Sequence, residues 1–133
     1  MNEEIKKKEF TYRGKTLEEL KKLEVREFAK LLKSRQRRTA LRQFQVIENF
    51  IERCKKKESK GKKIRSHERD LIIVPKMIGL RIYVHKGNAF IPVEITGEML
   101  GHRLGEFAHT RSKVAHTKAG VGATKGTKHK SKK

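Results

Sequence analysis

The residues that could carry out chemistry are six histidines, one cysteine and a scattered set of acids. Cys54 has no Cys-x-x-Cys partner, and the histidines do not show the spacing of metal ligands. Glu94, Glu98 and Glu106 fall on an expected strand and a short helix, where capping or local pairing explains them better than acid–base catalysis. Neither a phosphate-binding Gly-x-x-x-x-Gly-Lys-Ser/Thr loop nor a Gly-x-Ser-x-Gly motif occurs. We therefore predict no enzyme, no metal and no cofactor.

The charge of the chain is strongly one-sided. Its 133 residues include 35 Lys and Arg against 15 Asp and Glu, which gives a net charge of +20. Such a chain repels itself unless an anion binds it, and nucleic acid is the usual partner because neutralised phosphates release counterions. No apolar run approaches the ~20 residues of a membrane span, and the N-terminus lacks the apolar core of a signal peptide. The single cysteine fits a reducing, cytoplasmic setting.

The N-terminal part of the chain has a helical pattern. Thr16 and Glu19 have the spacing of a capping box, and apolar residues then recur at helical spacing, which predicts one or two helices over 17–33. Ser34 is expected to cap a further helix that continues through Arg53. Its narrow apolar seam consists of Ala40, Phe44, Ile47, Ile51 and Cys54.

Two dense basic stretches accompany this helix. Residues 30–42 carry six basic residues and no acid, including Arg35, Arg37, Arg38 and Arg42. These arginines form either a solvated helix face or a set of phosphate contacts, and the absence of interleaved acids favours phosphate contact. Residues 55–65 carry seven basic residues and one acid without an apolar period. We expect them to form a loop or frayed helix end that can also clamp phosphates.

The β-forming residues concentrate between 71 and 111. The apolar run 71–74 predicts a buried strand. Alternation over 80–84 and 91–95 predicts a hairpin around a turn at 86–88, with Pro92 on an edge strand.

A short helix over 97–104 is expected to follow, capped by Thr96. Gly101 and Gly105 interrupt it, which indicates that the backbone there approaches something closely.

Together these elements predict an α+β fold with a small three-stranded, mostly antiparallel sheet packed by helices. We divide the chain into a helical N-terminal extension (1–60), a basic α+β core (61–111) and a disordered basic tail (112–133). The tail follows from composition, because no acid occurs after Glu106 and the remaining residues cannot bury enough surface to order themselves.

RNA fits this organisation better than DNA. Basic arms that fold on binding are typical of RNA assemblies, and no helix-turn-helix or finger pattern is present. Tyr83 is the only aromatic residue expected on the alternate face of the central strands, so backbone and shape recognition is expected rather than base readout. The alternative is an architectural DNA-binding or RNA-chaperone protein that acts mainly through charge.

Several motifs resemble the small-ribosomal-subunit protein family numbered nineteen. They are Ile73-Val74-Pro75-Lys76-Met77-Ile78-Gly79, Val84-His85-Lys86-Gly87, Phe90-Ile91-Pro92-Val93 and, most specifically, the run from Ile95-Thr96-Gly97 through Gly105-Glu106-Phe107 to Thr110-Arg111. Tyr12-Arg13-Gly14, residues 34–38 and residues 120–124 resemble the archaeal and eukaryotic branch, so the resemblance covers nearly the whole chain. Lys76 and Lys86 depart from the family pattern and add positive charge.

The resemblance implies a structural protein of the small-subunit head that supports translation in the cytoplasm and binds the 3′ major domain of the rRNA. It implies a neighbour, the small-subunit protein numbered thirteen, and a tail directed toward the tRNA-decoding region. The rRNA-binding residues that it implies are Lys62, Lys63, Arg65, Arg69, His85, Lys86, His102, Arg103, His109, Arg111 and Lys113. To these and the four arginines we add four basic residues of the tail: His116, Lys118, Lys125 and Lys128.

Overall fold

The computed structural model describes residues 9–113, 120–122 and 124–129, and within them it has the predicted α+β fold. A short hairpin of β1 (Thr11–Tyr12) and β2 (Lys15–Thr16) turns through Gly14 at a φ of +77°. The helices that follow are α1 (Leu17–Lys22), α2 (Val25–Ala29), α3 (Ser34–Arg42) and α4 (Phe44–Glu58).

The start of α1 confirms the predicted capping box. The Thr16 amide donates to the Glu19 carboxylate at 3.1 Å. A second box begins α2, where the Glu24 amide donates to Glu27 at 3.2 Å. Leu23 and Glu24 both have extended backbone, so the helical pattern over 17–33 resolves into two helices.

The helix predicted from Ser34 to Arg53 is in fact two helices, and α4 continues beyond Arg53 to Glu58. Gln43 separates α3 from α4 with a φ of −105° and a ψ of 13°. Lys33 occupies the N-cap position, so Ser34 is the first helical residue and not the cap. The predicted seam is confirmed, since it is buried at Ala40, Ile47, Ile51 and Cys54 and half-buried at Phe44.

The three-stranded sheet is ordered β3 (Ile64–Ser66), β4 (Arg81–His85) and β5 (Phe90–Glu94). β4 and β5 form the predicted antiparallel hairpin, and Pro92 lies on the edge strand as expected. β3 pairs with β4 in parallel, so a strand occupies part of the stretch that was predicted to be a loop. Its alternation covers only three residues, in which Arg65 is exposed between two buried neighbours.

The strand predicted at 71–74 is wrong. All four residues are buried, but their pairing is limited to an isolated bridge between Ile72 and Arg103. The Ile73 amide donates to the His102 carbonyl at 2.8 Å. The side chains of this segment are therefore buried in the common hydrophobic core, while its backbone hydrogen-bonds to residues 101–104 and not to the sheet.

The helix predicted over 97–104 is also wrong. Two short 3-10 turns, Gly97–Met99 and Leu104–Phe107, take its place. Gly101 lies between them at a φ of +80°, a left-handed conformation that a continuous right-handed helix cannot contain.

The predicted close approach at the two glycines is confirmed, and the neighbours belong to this chain. A Cβ atom on Gly101 would lie 2.9 Å from a methyl carbon of Leu32. A Cβ atom on Gly105 would lie 2.9 Å from the carbonyl oxygen of Arg69. Both glycines therefore permit contacts that join the 101–105 segment to distant parts of the chain.

One hydrophobic cluster contains buried residues from Leu20 in α1 to Ala108 after the last 3-10 turn of the core. It takes Phe28 and Ile47 from the helices and Ile82 and other residues from the inner face of the sheet. The helical extension and the sheet segment therefore share a core.

Part of the predicted disordered tail lies outside the described residues, including His116 and Lys118. Among the tail residues that the structure describes, Lys125–Thr127 form a short 3-10 turn. The Thr127 hydroxyl accepts a hydrogen bond from the Gly122 amide at 3.0 Å.

Candidate nucleic-acid interface

A groove on α3 is lined by three of the four arginines that the sequence analysis identified as candidate phosphate contacts. Its volume is about 320 Å³, and Arg35, Arg38 and Arg42 line it together with Thr39 and Gln43. The arginines are spaced by three and four residues, so the helix places them on one face. α3 has no acidic residue, and none of the salt bridges within the described part of the chain involves these arginines. Their guanidinium groups are therefore available to an external anion.

Arg37 has a different orientation from these three. Its guanidinium donates to the carbonyls of Lys30 at 3.0 Å and Leu32 at 3.2 Å. It thus ties the end of α2 to the first turn of α3 and satisfies carbonyls that have no helical partner. The side chain remains exposed, so its other donors still face solvent.

Lys62 and Lys63 lie beside a second groove, of about 350 Å³, between the end of α4 and β4. The Lys63 ammonium lies 5.6 Å from the centre of the Tyr83 ring, within the range of a cation–π interaction. The dense basic stretch 55–65 therefore ends next to an aromatic side chain of the sheet.

The outer face of the sheet carries further candidate residues. Arg65 on β3 is in register with Tyr83 on β4, which is in register with Pro92 on β5. His85 on β4 is paired with Phe90 on β5 next to the turn of the hairpin. The half-buried Lys86 follows directly after His85.

The expectation that Tyr83 is the only aromatic ring on this face is wrong. The Phe90 ring lies 5.0 Å from the His85 ring and 5.2 Å from the His67 ring, measured between centroids. Sequence reasoning missed His67 and Phe90 as part of this surface. Alternation placed Tyr83 and His85 on one face, but the register of β5 and the position of β3 were needed to bring the other rings beside them.

Arg69 is directed into the protein. Its guanidinium donates to the carbonyls of His85 at 2.6 Å, Gly105 at 2.9 Å and Ala108 at 2.6 Å. These bonds join the end of β4 to the last turn of the core. Most of the hydrogen-bonding capacity of this candidate residue is therefore used within the chain.

The candidates after residue 101 are spread along an irregular segment. His102 contacts the Glu106 carboxylate at 2.7 Å, and both side chains are about half exposed, at 53% and 50%. Arg103 is half-buried, and its backbone forms the bridge to Ile72. The remaining candidates that the structure describes are exposed, namely His109, Arg111, Lys113, Lys125 and Lys128.

Among the residues that the structure describes, Cys54 and Arg81 have a perturbed pKa. Burial raises the pKa of the Cys54 thiol from 9.0 to about 11, which makes it a poor nucleophile at neutral pH. The hydrogen bond from Arg81 to Glu94, across β4 and β5, raises the pKa of the Arg81 guanidinium further above its ordinary value. Neither shift creates an acid or a base that titrates near neutral pH.

The described residues hold no group of three or more histidine, cysteine or acidic side chains that could bind a metal ion. Among the helices in that part of the chain, none is both long enough and apolar enough to cross a membrane.

Comparison with known proteins identifies a family to which the chain is similar. Residues 38–116 match the sequence model of the family described as Ribosomal protein S19. The chain is also 46% identical to the small ribosomal subunit protein uS19 of Methanocella arvoryzae over 125 residues, which are 93% of this chain and 87% of that relative. The matched residues begin at Arg38 in the arginine groove and include the whole sheet. On this evidence the chain belongs to the ribosomal protein S19 family.

Proposed function

We propose that the protein is a non-catalytic structural component of the small ribosomal subunit that binds rRNA. The observation that carries the proposal is the arginine groove of α3, whose three cations lack acidic partners within the described chain. Membership of the ribosomal protein S19 family and the near-full-length similarity to a small-subunit protein support the same conclusion.

The groove suits a phosphate backbone. Each guanidinium offers a planar fork of donors that can contact two oxygens of one phosphate. An α-helix separates Arg35 from Arg42 by seven residues, or about 10 Å of axial rise, so the three arginines can reach more than one phosphate of an RNA strand. The binding energy then includes counterion release, which makes the affinity dependent on salt.

The other basic residues extend this contact. Lys62, Lys63 and Arg65 supply positive charge beside the sheet, and Lys86 supplies it at the tip of the hairpin, where the ring of His85 can take part in the same contact. We propose that the exposed residues after position 108 follow the RNA as an extended arm, which is a usual form of ribosomal RNA contact. Arg69 and Arg37 act mainly by holding the fold that presents the others.

The family resemblance also suggests where in the small subunit the protein lies. We propose that the protein lies in the head of the small subunit on the 3′ major domain of the rRNA, beside the small-subunit protein numbered thirteen, in the cytoplasm. The exposed Lys125 and Lys128 suit a tail that points toward the tRNA-decoding region.

The test is a filter-binding titration of the full chain against an rRNA head-domain fragment and a duplex DNA of equal length, over a range of salt concentrations. We expect the RNA complex to survive at salt concentrations that dissociate the DNA complex, because shape-specific contacts add to the charge term. If both complexes dissociate together, binding is by charge alone, and the architectural DNA-binding or RNA-chaperone function is the correct one.

A triple variant tests the groove itself. Replacing Arg35, Arg38 and Arg42 with glutamine should lower the affinity for the rRNA fragment through the loss of about two to three phosphate contacts. The plot of log affinity against log salt concentration should become less steep by ~0.7–0.9 for each lost contact. The matched control replaces the exposed Lys21, Lys22 and Lys30 with glutamine and removes the same charge. Equal losses from the two triple variants would contradict a dedicated phosphate groove.

A further inference from the structure

Two aromatic residues of this chain have no part in its hydrophobic core. The core contains Phe28 and Phe50, and it is covered by Phe10, Tyr12, Phe44 and Phe107. Tyr83 and Phe90 are half-buried, yet they belong neither to the core nor to the side chains packed against it. Core packing therefore does not explain why large aromatic rings occupy these positions.

These two rings lie with two histidines on the outer face of the sheet. We call the set of His67, Tyr83, His85 and Phe90 the aromatic platform. The His67 and His85 ring centroids are 4.4 Å apart, and the Phe90 ring meets both histidines nearly edge-on. Tyr83 and His85 are two residues apart on β4, so they point to the same side of the sheet.

Positive charge borders the platform. The Lys63 ammonium lies 5.6 Å from the Tyr83 ring, and the Arg65 guanidinium carbon lies 5.4 Å from the Phe90 ring. Neither cation takes part in a salt bridge within the described residues. The acid of β5 on this face, Glu94, is paired with Arg81. A ligand on the platform would therefore meet one exposed ring, that of His67, three half-buried rings and uncompensated positive charge.

We propose that the aromatic platform stacks unpaired bases of RNA while Lys63 and Arg65 contact the neighbouring phosphates, an inference that rests on the proposed function. A single-stranded nucleic acid combines flat π-faces with regularly spaced negative charge, and aromatic side chains on a sheet are a common way of binding it; the proposed function makes that strand RNA. A base-paired helix could not use the platform in this way, because its bases are already stacked on one another. The protein thus recognises RNA through unstacked bases as well as through backbone and shape.

The tyrosine content of the chain permits a direct test. The sequence has two tyrosines and no tryptophan, so in a full-length Tyr12→Phe variant Tyr83 is the sole source of tyrosine fluorescence. This variant is titrated with a short unstructured RNA and with a blunt RNA duplex of equal phosphate content. We expect the single strand to quench Tyr83 and the duplex to leave it largely unchanged. Equal quenching by both, or none by either, would overturn the inference.

A second experiment measures the contribution of the rings to binding the rRNA head-domain fragment. Tyr83→Leu and Phe90→Leu keep an apolar side chain but remove the ring, and each should weaken binding about 5- to 150-fold, as expected for the loss of one stacked base. Tyr83→Phe retains the ring and should bind like the parent chain. Phe10→Leu removes a ring that packs against the core and serves as the matched control.

The outcomes separate this inference from the function on which it rests. If the parent chain prefers rRNA over duplex DNA but Tyr83→Leu and Phe90→Leu bind like the Phe10→Leu control, the platform does not stack bases and the ribosomal function stands. If the parent chain shows no preference for rRNA, the proposed function fails. Selective quenching of Tyr83 by single-stranded RNA would in that case still establish the platform.

Discussion

Replacing Arg69 with methionine should destabilise the folded protein by roughly 2–4 kcal/mol. In the native structure the guanidinium holds the carbonyls of His85, Gly105 and Ala108 with three hydrogen bonds of 2.6–2.9 Å. Methionine has a similar length and apolar volume, so the substitution removes the donors without leaving a large cavity.

The magnitude follows from the kind of bond that is lost. A hydrogen bond from a charged donor contributes about 1.5–3 kcal/mol, and a buried carbonyl left without a partner costs a similar amount. Three such bonds would exceed the predicted loss, but Arg69 is only part-buried, and water can solvate some of the released carbonyls. Lysine cannot replace the planar fork of donors, so Arg69→Lys should recover only a minor part of the loss.

The assay is urea unfolding of the full chain, followed by circular dichroism, together with a thermal scan. The melting temperature of Arg69→Met should fall by about 8 °C or more. Arg38→Met is the matched control, because Arg38 is exposed in the α3 groove and its loss should change stability by no more than about 0.5 kcal/mol. Equal stabilities for the two variants would refute an internal role for Arg69.

Further predictions concern Gly105, which is half-buried, and Cys54, which is buried. Gly105→Ala should cost about 1–3 kcal/mol in urea unfolding, because the new Cβ would lie 2.9 Å from the Arg69 carbonyl oxygen; Gly126→Ala, with open space around it, should have no effect. The Cys54 thiol should resist alkylation in the native protein and react readily in denaturant. Since burial raises its pKa from 9.0 to about 11, the folded chain keeps a proton that the unfolded chain releases between these values. The stability due to Cys54 is thus complete below pH 9.0 and is lost as the pH rises to about 11, and Cys54→Ala should remove that part of the pH dependence. Rapid native alkylation, or an unchanged pH profile in Cys54→Ala, would contradict this account.

The features that sequence reasoning predicted correctly depend on local patterns. The capping box at Thr16 and Glu19 lies within one turn of chain, and the seam from Ala40 to Cys54 depends only on helical period. The alternation on β4 and β5 likewise records one buried face of a hairpin.

The features that it missed depend on contacts between distant residues. β3 exists because Ile64 pairs with Ile82 in parallel, and three residues in a basic stretch are too few to show that pairing in advance. The apolar run at 71–74 has the composition of a strand, but its backbone partner is the chain near His102. For the same reason the aromatic platform could not be foreseen, because its rings come from elements whose register is set by tertiary packing.

Charge predicted the candidate residues but not their orientation. Arg38 and Arg69 are equally basic in the sequence, yet one lines an open groove and the other binds three carbonyls of its own chain. The carbonyls of His85, Gly105 and Ala108 create the second arrangement, and they come together around one side chain only once the fold has formed.

The shared hydrophobic core has a consequence for the order of events during protein synthesis. Phe28 is synthesised 76 residues before Leu104, with which it shares the core. At 5–20 residues per second, about 4–15 s therefore pass between the synthesis of the helices and that of the last residues that pack against them. During that interval their apolar faces are uncovered while the flanking lysines and arginines are already present. We therefore expect the core of the nascent chain to stay incomplete until the segment around residue 104 is synthesised. Non-specific binding to polyanions should be most frequent during those seconds.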